Sequence, residues 1–252
     1  MLSTAGDPEP SGGSQAPNTV PDFIISSDVI SPSGAVEPLA PAVLNQIEAI
    51  NMDQDSANTG FLHIPPDTHG AVGPLHFVAV VNSSIEWRTK AGVLQQSKAL
   101  GSNSSGSIIG SFFESLAPVN GLFDPKVVYD QHAGRFVVVA LEREDTATVT
   151  TSRVLVAVSA TSDPNGGWHF LAINSLTAFS TTNAWADYPG LAVDEEAVYF
   201  TANFFGFSGG AFQGNRIWII GKGVGTGGFY DGGTASFSVN NPVPGGLFEG
   251  TQ

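Results

Sequence analysis

Three stretches of this chain repeat one another, and that repetition limits the fold more than any other feature. The first runs Asp67-Thr68-His69-Gly70-Ala71-Val72-Gly73, then an apolar run at 77–82, then 85–88. The second begins Asp124-Pro125-Lys126-Val127-Val128-Tyr129-Asp130 and continues through 135–140 and 153–158. The third begins Asp187-Tyr188-Pro189-Gly190-Leu191 and continues through 198–203 and 216–220. Each unit reads as an aspartate turn, a short strand, a tight turn, a long apolar strand, a loop and a third strand. Fourth strands are expected at 93–96, 168–173 and 235–239. The units recur about every 60 residues, enough for four short strands with loops. The second strand of each unit is apolar on both faces, which requires sheets covered on both sides by neighbouring sheets. Consecutive four-stranded sheets of that kind are the blades of a β-propeller, so an all-β fold is expected, with about three blades.

Composition supports this reading. With 30 Gly and 16 Pro, long helices are disfavoured, and 42% apolar residues suffice for a packed core. A net charge of −14 argues against nucleic acid and anionic membranes as partners. No cysteine is present, which removes disulfides, thiol nucleophiles and cysteine-ligated metals. No apolar run is long enough for a transmembrane helix, so no membrane insertion is expected. Residues 1–60 read as a Ser/Gly/Pro-rich flexible arm with little regular structure, with a short strand at 22–25 and a helical turn or two at 38–50. Residues 61–252 read as the blades. Closed propellers need about four to eight blades. Missing blades or a partner chain are therefore expected to complete the ring, and the chain is read as part of a longer protein.

The run Pro65-Pro66-Asp67-Thr68-His69-Gly70-Ala71-Val72-Gly73-Pro74 resembles the opening of a family of exported bacterial β-propeller proteins. The run Asp124-Pro125-x-Val127-x-Tyr129-Asp130 through Gly134-Arg135-Phe136 resembles that family's next blade. In the run 159–168, Thr161, Asp163, Asn165 and Trp168 fill the pattern of a sialidase-like Asp-box. The resemblance covers about residues 60–251. It implies a propeller fold, a secreted or cell-surface location, and a structural hairpin role for the box, whose Asn165 tolerates a left-handed backbone.

Several residues carry possible chemistry. Asp67, Asp124 and Asp187 open equivalent units, so a ring of carboxylates could hold a cation such as calcium. The simpler reading is that each caps the backbone of its own turn. His63, His69 and His76 with Asp67 could ligate a metal, although their spacing fits no ligand motif. Glu86 and Arg88 share one strand face and read as an exposed pair. Glu142, Glu144 and Asp145 read as a solvated hairpin loop. Phe204, Phe205 and Phe207 form an aromatic, Gly-rich loop that either stacks on a ligand or packs between blades. The Gly-rich run 221–228 opens no helix and is no phosphate loop. The reading that follows is a non-catalytic extracellular module binding carbohydrate or protein, with no catalytic residue assigned and no required cofactor. The alternative is a glycan-active hydrolase or lyase with catalytic residues partly outside this chain.

Overall fold

The computed structural model describes residues 4–5, 46–179 and 182–240. The strand expected at 22–25 lies outside them, as does most of the helical turn expected at 38–50. The short strands β1 (Thr4–Ala5) and β2 (Leu62–His63) pair in parallel. Between them in sequence lies the helix α1 (Met52–Thr59).

Three antiparallel meanders follow. The first sheet has β3 (His69–Val72), β4 (His76–Val81), β5 (Ser84–Thr89) and β6 (Leu94–Ala99) in order. The second has β7 (Phe123–Asp130), β8 (Arg135–Asp145), β9 (Thr150–Ser159) and β10 (Trp168–Asn174). The third has β12 (Thr182–Val193), β13 (Ala197–Gly206), β14 (Phe212–Gly221) and β15 (Ser236–Val239), with the short β11 (Thr177–Phe179) on its edge. The chain is all-β in architecture, and its three sheets are blades of a β-propeller that the described residues do not close into a ring.

The middle sheet shows why the apolar runs are continuous. Val137, Val139, Leu141, Val154, Val156 and Val158 point into a core shared with the third sheet. Their neighbours Phe136, Val138, Ala140, Leu155 and Ala157 point into a core shared with the first. A strand's side chains alternate between faces, so a run apolar at every position is the signature of a sheet buried on both sides. Burying each such Val or Leu contributes about 1.5–3 kcal/mol relative to exposure. The strands β3 and β12 flank β7, so the first strands of the units lie side by side.

Within β7 and β12 the ladder carries the same irregularity. One extra residue sits between Phe123 and Lys126, and one between Asp187 and Gly190. Asp124 (φ 49°) and Tyr188 (φ 49°) occupy these bulges, each before a proline; Asp67 (φ 45°) stands at the start of β3. Proline supplies no N–H to the ladder and pushes the preceding residue away from the right-handed helical region. Register therefore makes Tyr188, not Asp187, the counterpart of Asp124. The expected equivalence of the three aspartates holds for Asp67 and Asp124 and is one residue out for Asp187.

The region expected as an arm to residue 60 ends in structure. In α1, Asn51 accepts a hydrogen bond from the Gln54 amide (2.9 Å), Asp53 and Asp55 sit in the first turn, and Gly60 (φ 76°) closes the end. These are ordinary capping features. The helix docks on the first sheet through polar contacts. Asp55 accepts from Ser84 Oγ (2.6 Å) and lies 2.8 Å from His63 Nδ1, while Asn58 donates to Ser97 Oγ (3.0 Å).

Candidate functional site

The segment just before β3, the bulge near the start of β7 and the residue beside the bulge in β12 bring Asp67, Asp124 and Asp187 together. Asn82, in the β4–β5 turn, is the linker. Its Nδ2 donates to Asp67 Oδ2 (2.7 Å) and its Oδ1 accepts the Asp124 amide (2.8 Å). Asp124 Oδ2 in turn accepts the Tyr188 amide (2.8 Å), and the Asp124 side chain hydrogen-bonds the Asp187 carboxyl. Asp124 thus caps the backbone of the next blade, where own-turn capping was expected.

Burial pushes the Asp187 carboxyl up from its ordinary value, and the charge of Asp67 adds to that push. Hydrogen bonds from Asp124 and the Tyr188 amide, and the charge of Arg143, oppose the rise without cancelling it.

Two further groups border the cluster. Tyr188 is 70% exposed, on a backbone that a bulky residue seldom adopts, and Lys126 Nζ lies 5.4 Å from its ring centroid. The Arg143 guanidinium lies 4.2 Å from the centroid of the Trp185 ring and pairs with Asp145 (2.5 Å). Arg143 Nε and Trp185 Nε1 are buried without a hydrogen-bond partner among the described residues.

The other residues singled out in the sequence fall elsewhere. Among the described residues, no group of three or more His, Asp or Glu side chains is arranged to hold a metal ion. His63 pairs with Asp55, whereas His76 lies 3.8 Å from Asp163. His69 Nδ1 accepts the Val127 amide (3.3 Å), and burial, then the Lys126 charge, lowers its pKa.

Thr161, Asp163, Asn165 and Trp168 stand in and beside the β9–β10 turn. Asp163 Oδ1 accepts the Asn165 amide (3.0 Å), Thr161 Oγ1 accepts the Asp163 amide (3.1 Å), and Trp168 Nε1 donates to the Pro164 carbonyl (3.0 Å). The turn reaches the first blade as well, because Trp87 Nε1 donates to Asn165 Oδ1 (2.9 Å). Asn165 is not left-handed, so this turn closes without that conformation.

Phe204 is fully buried within β13, against Phe179 and Trp218, and presents no ring to a ligand. Phe205 sits between Trp185 and Phe212, and the Phe207 ring lies 5.3 Å from Arg143.

Two glutamates expected at the surface, Glu86 and Glu142, are buried. Glu86 is completely buried and held by Arg88 Nε (2.5 Å) on its own strand. Glu142 is also buried, paired with Arg153 across the β8–β9 ladder and accepting the Val119 amide (2.6 Å). The sequence reading also missed the ion pair of Asp130 and Lys222 (2.6 Å), which joins the second blade to the third. Tyr230 Oη donates to the same carboxylate (2.8 Å), Lys222 also donates to the Asp194 carbonyl, and Arg135 donates to the Tyr230 carbonyl. The sequence carries no local sign of a pair so far apart in the chain.

No protein family and no curated protein matches the chain's sequence. Among solved structures it is similar to an exo-β-1,3-galactanase from Phanerochaete chrysosporium bound to β-1,3-galactotriose. That match has 11% identity and a TM-score of 0.32, and spans 62% of this chain but 43% of that one. The chain therefore spans less than half of that structure, and a likeness of this size carries no argument about chemistry.

Proposed function

We propose that this chain is a non-catalytic carbohydrate-binding module that works outside the cell, meeting its ligand beside the start of β3 and the bulges of β7 and β12. One observation carries the reading: adjacent blades deliver Asp67, Asp124 and Asp187 to one place beside the exposed Tyr188. Carboxylates accept hydrogen bonds from sugar hydroxyls, and an exposed tyrosine offers a flat face for a sugar ring. Few charged residues (13%) suit an exported protein.

A glycan array probed with the wild type and with Tyr188→Ala tests this. Binding weakened about 2–10-fold by the substitution supports it, since aromatic stacking is worth about 0.5–1.5 kcal/mol. Binding indifferent to Tyr188 rejects it.

One feature favours a glycan hydrolase as the second reading. A carboxyl with a raised pKa beside a second carboxyl group is an arrangement used in general-acid catalysis of glycoside cleavage. Turnover of any glycan that Asp187→Asn abolishes would replace the binding role with this one.

A further inference from the structure

The contact between Asp130 and Lys222 holds more than an ion pair needs. Asp130 ends β7 and Lys222 follows β14, so the two residues belong to different blades. Both side chains are buried, and Lys222 Nζ lies 2.6 Å from Asp130 Oδ2. The two carboxylate oxygens have different surroundings. Oδ1 accepts the amides of His132 (3.0 Å) and Ala133 (3.2 Å). Oδ2 takes the ammonium and, at 2.8 Å, the Tyr230 hydroxyl. The ammonium also donates to the Asp194 carbonyl. Tyr230 is completely buried, and Arg135 donates to its carbonyl and lies over its ring (5.5 Å).

These are the parts of an acyl-transfer site. An amine stands against a carboxyl group, two N–H groups hold the oxygen that would gain charge, and a hydroxyl holds the oxygen that would leave. We propose that Lys222 and Asp130 condense to an amide, a covalent cross-link between the second and third blades. A proton of the ammonium first passes along the 2.6 Å contact to Oδ2, leaving a neutral amine and a neutral acid. The amine lone pair attacks Cγ, and charge develops on Oδ1, where the His132 and Ala133 amides receive it. Tyr230 gives its proton to Oδ2 and regains one from Nζ, the Cγ–Oδ2 bond breaks, and water leaves. Ammonium plus carboxylate becomes amide plus water, so no further reactant is needed. The product's polar groups are satisfied: its N–H faces the Asp194 carbonyl, and its C=O keeps both amides.

In water such an amide does not form unaided. Here the fold holds the reacting groups together and keeps water away from them. Burial opposes ionisation of Asp130, but hydrogen bonds from Lys222, Tyr230 and the Ala133 amide outweigh it and hold the carboxyl low. The neutral pair is therefore a minor state and the reaction is slow. Burial, then the hydrogen bond to Asp130, pushes the Tyr230 pKa up and keeps the phenol protonated. The freshly folded chain is the ion-paired one, and the cross-link accumulates from it. A chain without cysteine has no disulfide to tie its blades, and this bond closes a loop of roughly 90 residues. The cross-link is independent of the ligand proposed for the carboxylate cluster.

The test is the intact mass of the purified full chain, followed over days at neutral pH. The mass should fall by about 18 Da, one water. Trypsin should then release residues 127–135 joined to residues 217–252 as one branched peptide. Protein kept in urea should hold its full mass, because the unfolded chain does not bring the groups together. Tyr230→Phe keeps the ring, removes the hydroxyl and should slow conversion by about tenfold or more. Converted protein should melt about 10 °C above fresh protein, from closure of the loop. A folded wild-type chain that keeps its full mass overturns the inference. So does a water loss that peptide mapping places at Asp231-Gly232, where ring closure on the backbone would also expel water. Conversion of Tyr230→Phe at the wild-type rate would overturn the part assigned to the hydroxyl.

Discussion

Removing the Asp130 carboxylate should cost more than any surface substitution in this protein. In the ion pair the Lys222 side chain is 1% exposed and that of Asp130 not at all. The same carboxylate accepts the Tyr230 hydroxyl and the amides of His132 and Ala133. Asp130→Ala leaves a buried ammonium with the Asp194 carbonyl and the Tyr230 ring but no counter-charge, and a phenol hydroxyl without its acceptor. Breaking a buried pair from one side costs about 3–5 kcal/mol. Typical domains hold about 5–15 kcal/mol in total, so a large share of the stability would go. With a urea dependence near 2 kcal/mol/M, the midpoint should fall by about 2 M. Urea unfolding followed by tryptophan fluorescence measures this, with Asp130→Leu plus Lys222→Met as the control. The double variant should lie within about 1.5 kcal/mol of wild type, because burying two apolar groups leaves no orphaned charge. The dependence on pH has a definite sign. Burial alone would raise the Asp130 pKa, but hydrogen bonds from Lys222, Tyr230 and the Ala133 amide outweigh it and hold the carboxyl low. The stabilisation is therefore present above the ordinary carboxylate range, about pH 4, and drains away as pH falls below it. A loss under about 1 kcal/mol for Asp130→Ala would refute the reasoning, because it is the size expected of an exposed pair.

Two further predictions concern packing. Gly233→Ala places a Cβ 1.9 Å from the Gly227 carbonyl oxygen, which is backbone and cannot move aside cheaply. It should destabilise by about 1–3 kcal/mol and disturb the near-ultraviolet signal of Tyr230 on the adjoining 3-10 turn. Trp87→Phe and Asn165→Ala each break the link between the first blade and the β9–β10 turn (2.9 Å). Each should cost about 1 kcal/mol, and a double-mutant cycle should show coupling of about 0.5 kcal/mol or more; additive losses would mean the link is not formed.

The strands were readable because a sheet buried on both faces writes itself as an unbroken apolar run, as 136–141 does. The bulges were readable in part, through Pro125 and Pro189. Aligning the units on aspartate rather than on proline put Asp187 one place off. The helix α1 was missed because it docks through Asp55 and Asn58 rather than an apolar stripe, so it has no helical periodicity. Its caps, Asn51 and Gly60, were the available signal. Glu86 and Glu142 looked like surface residues because burial of a carboxylate depends on what neighbours supply. The nearby arginines, Arg88 and Arg153, reach their partners only once the strands are in register.

Convergence of the blades on one carboxylate cluster is most directly tested by carbon-13 NMR titration of the Asp187 carboxyl in the wild type and in Asp67→Asn. The structure predicts a midpoint above the usual aspartate range in the wild type, raised by burial and by Asp67, and a lower one in the variant. An ordinary wild-type midpoint, or one that Asp67→Asn leaves where it was, would mean that the first and third blades do not meet there.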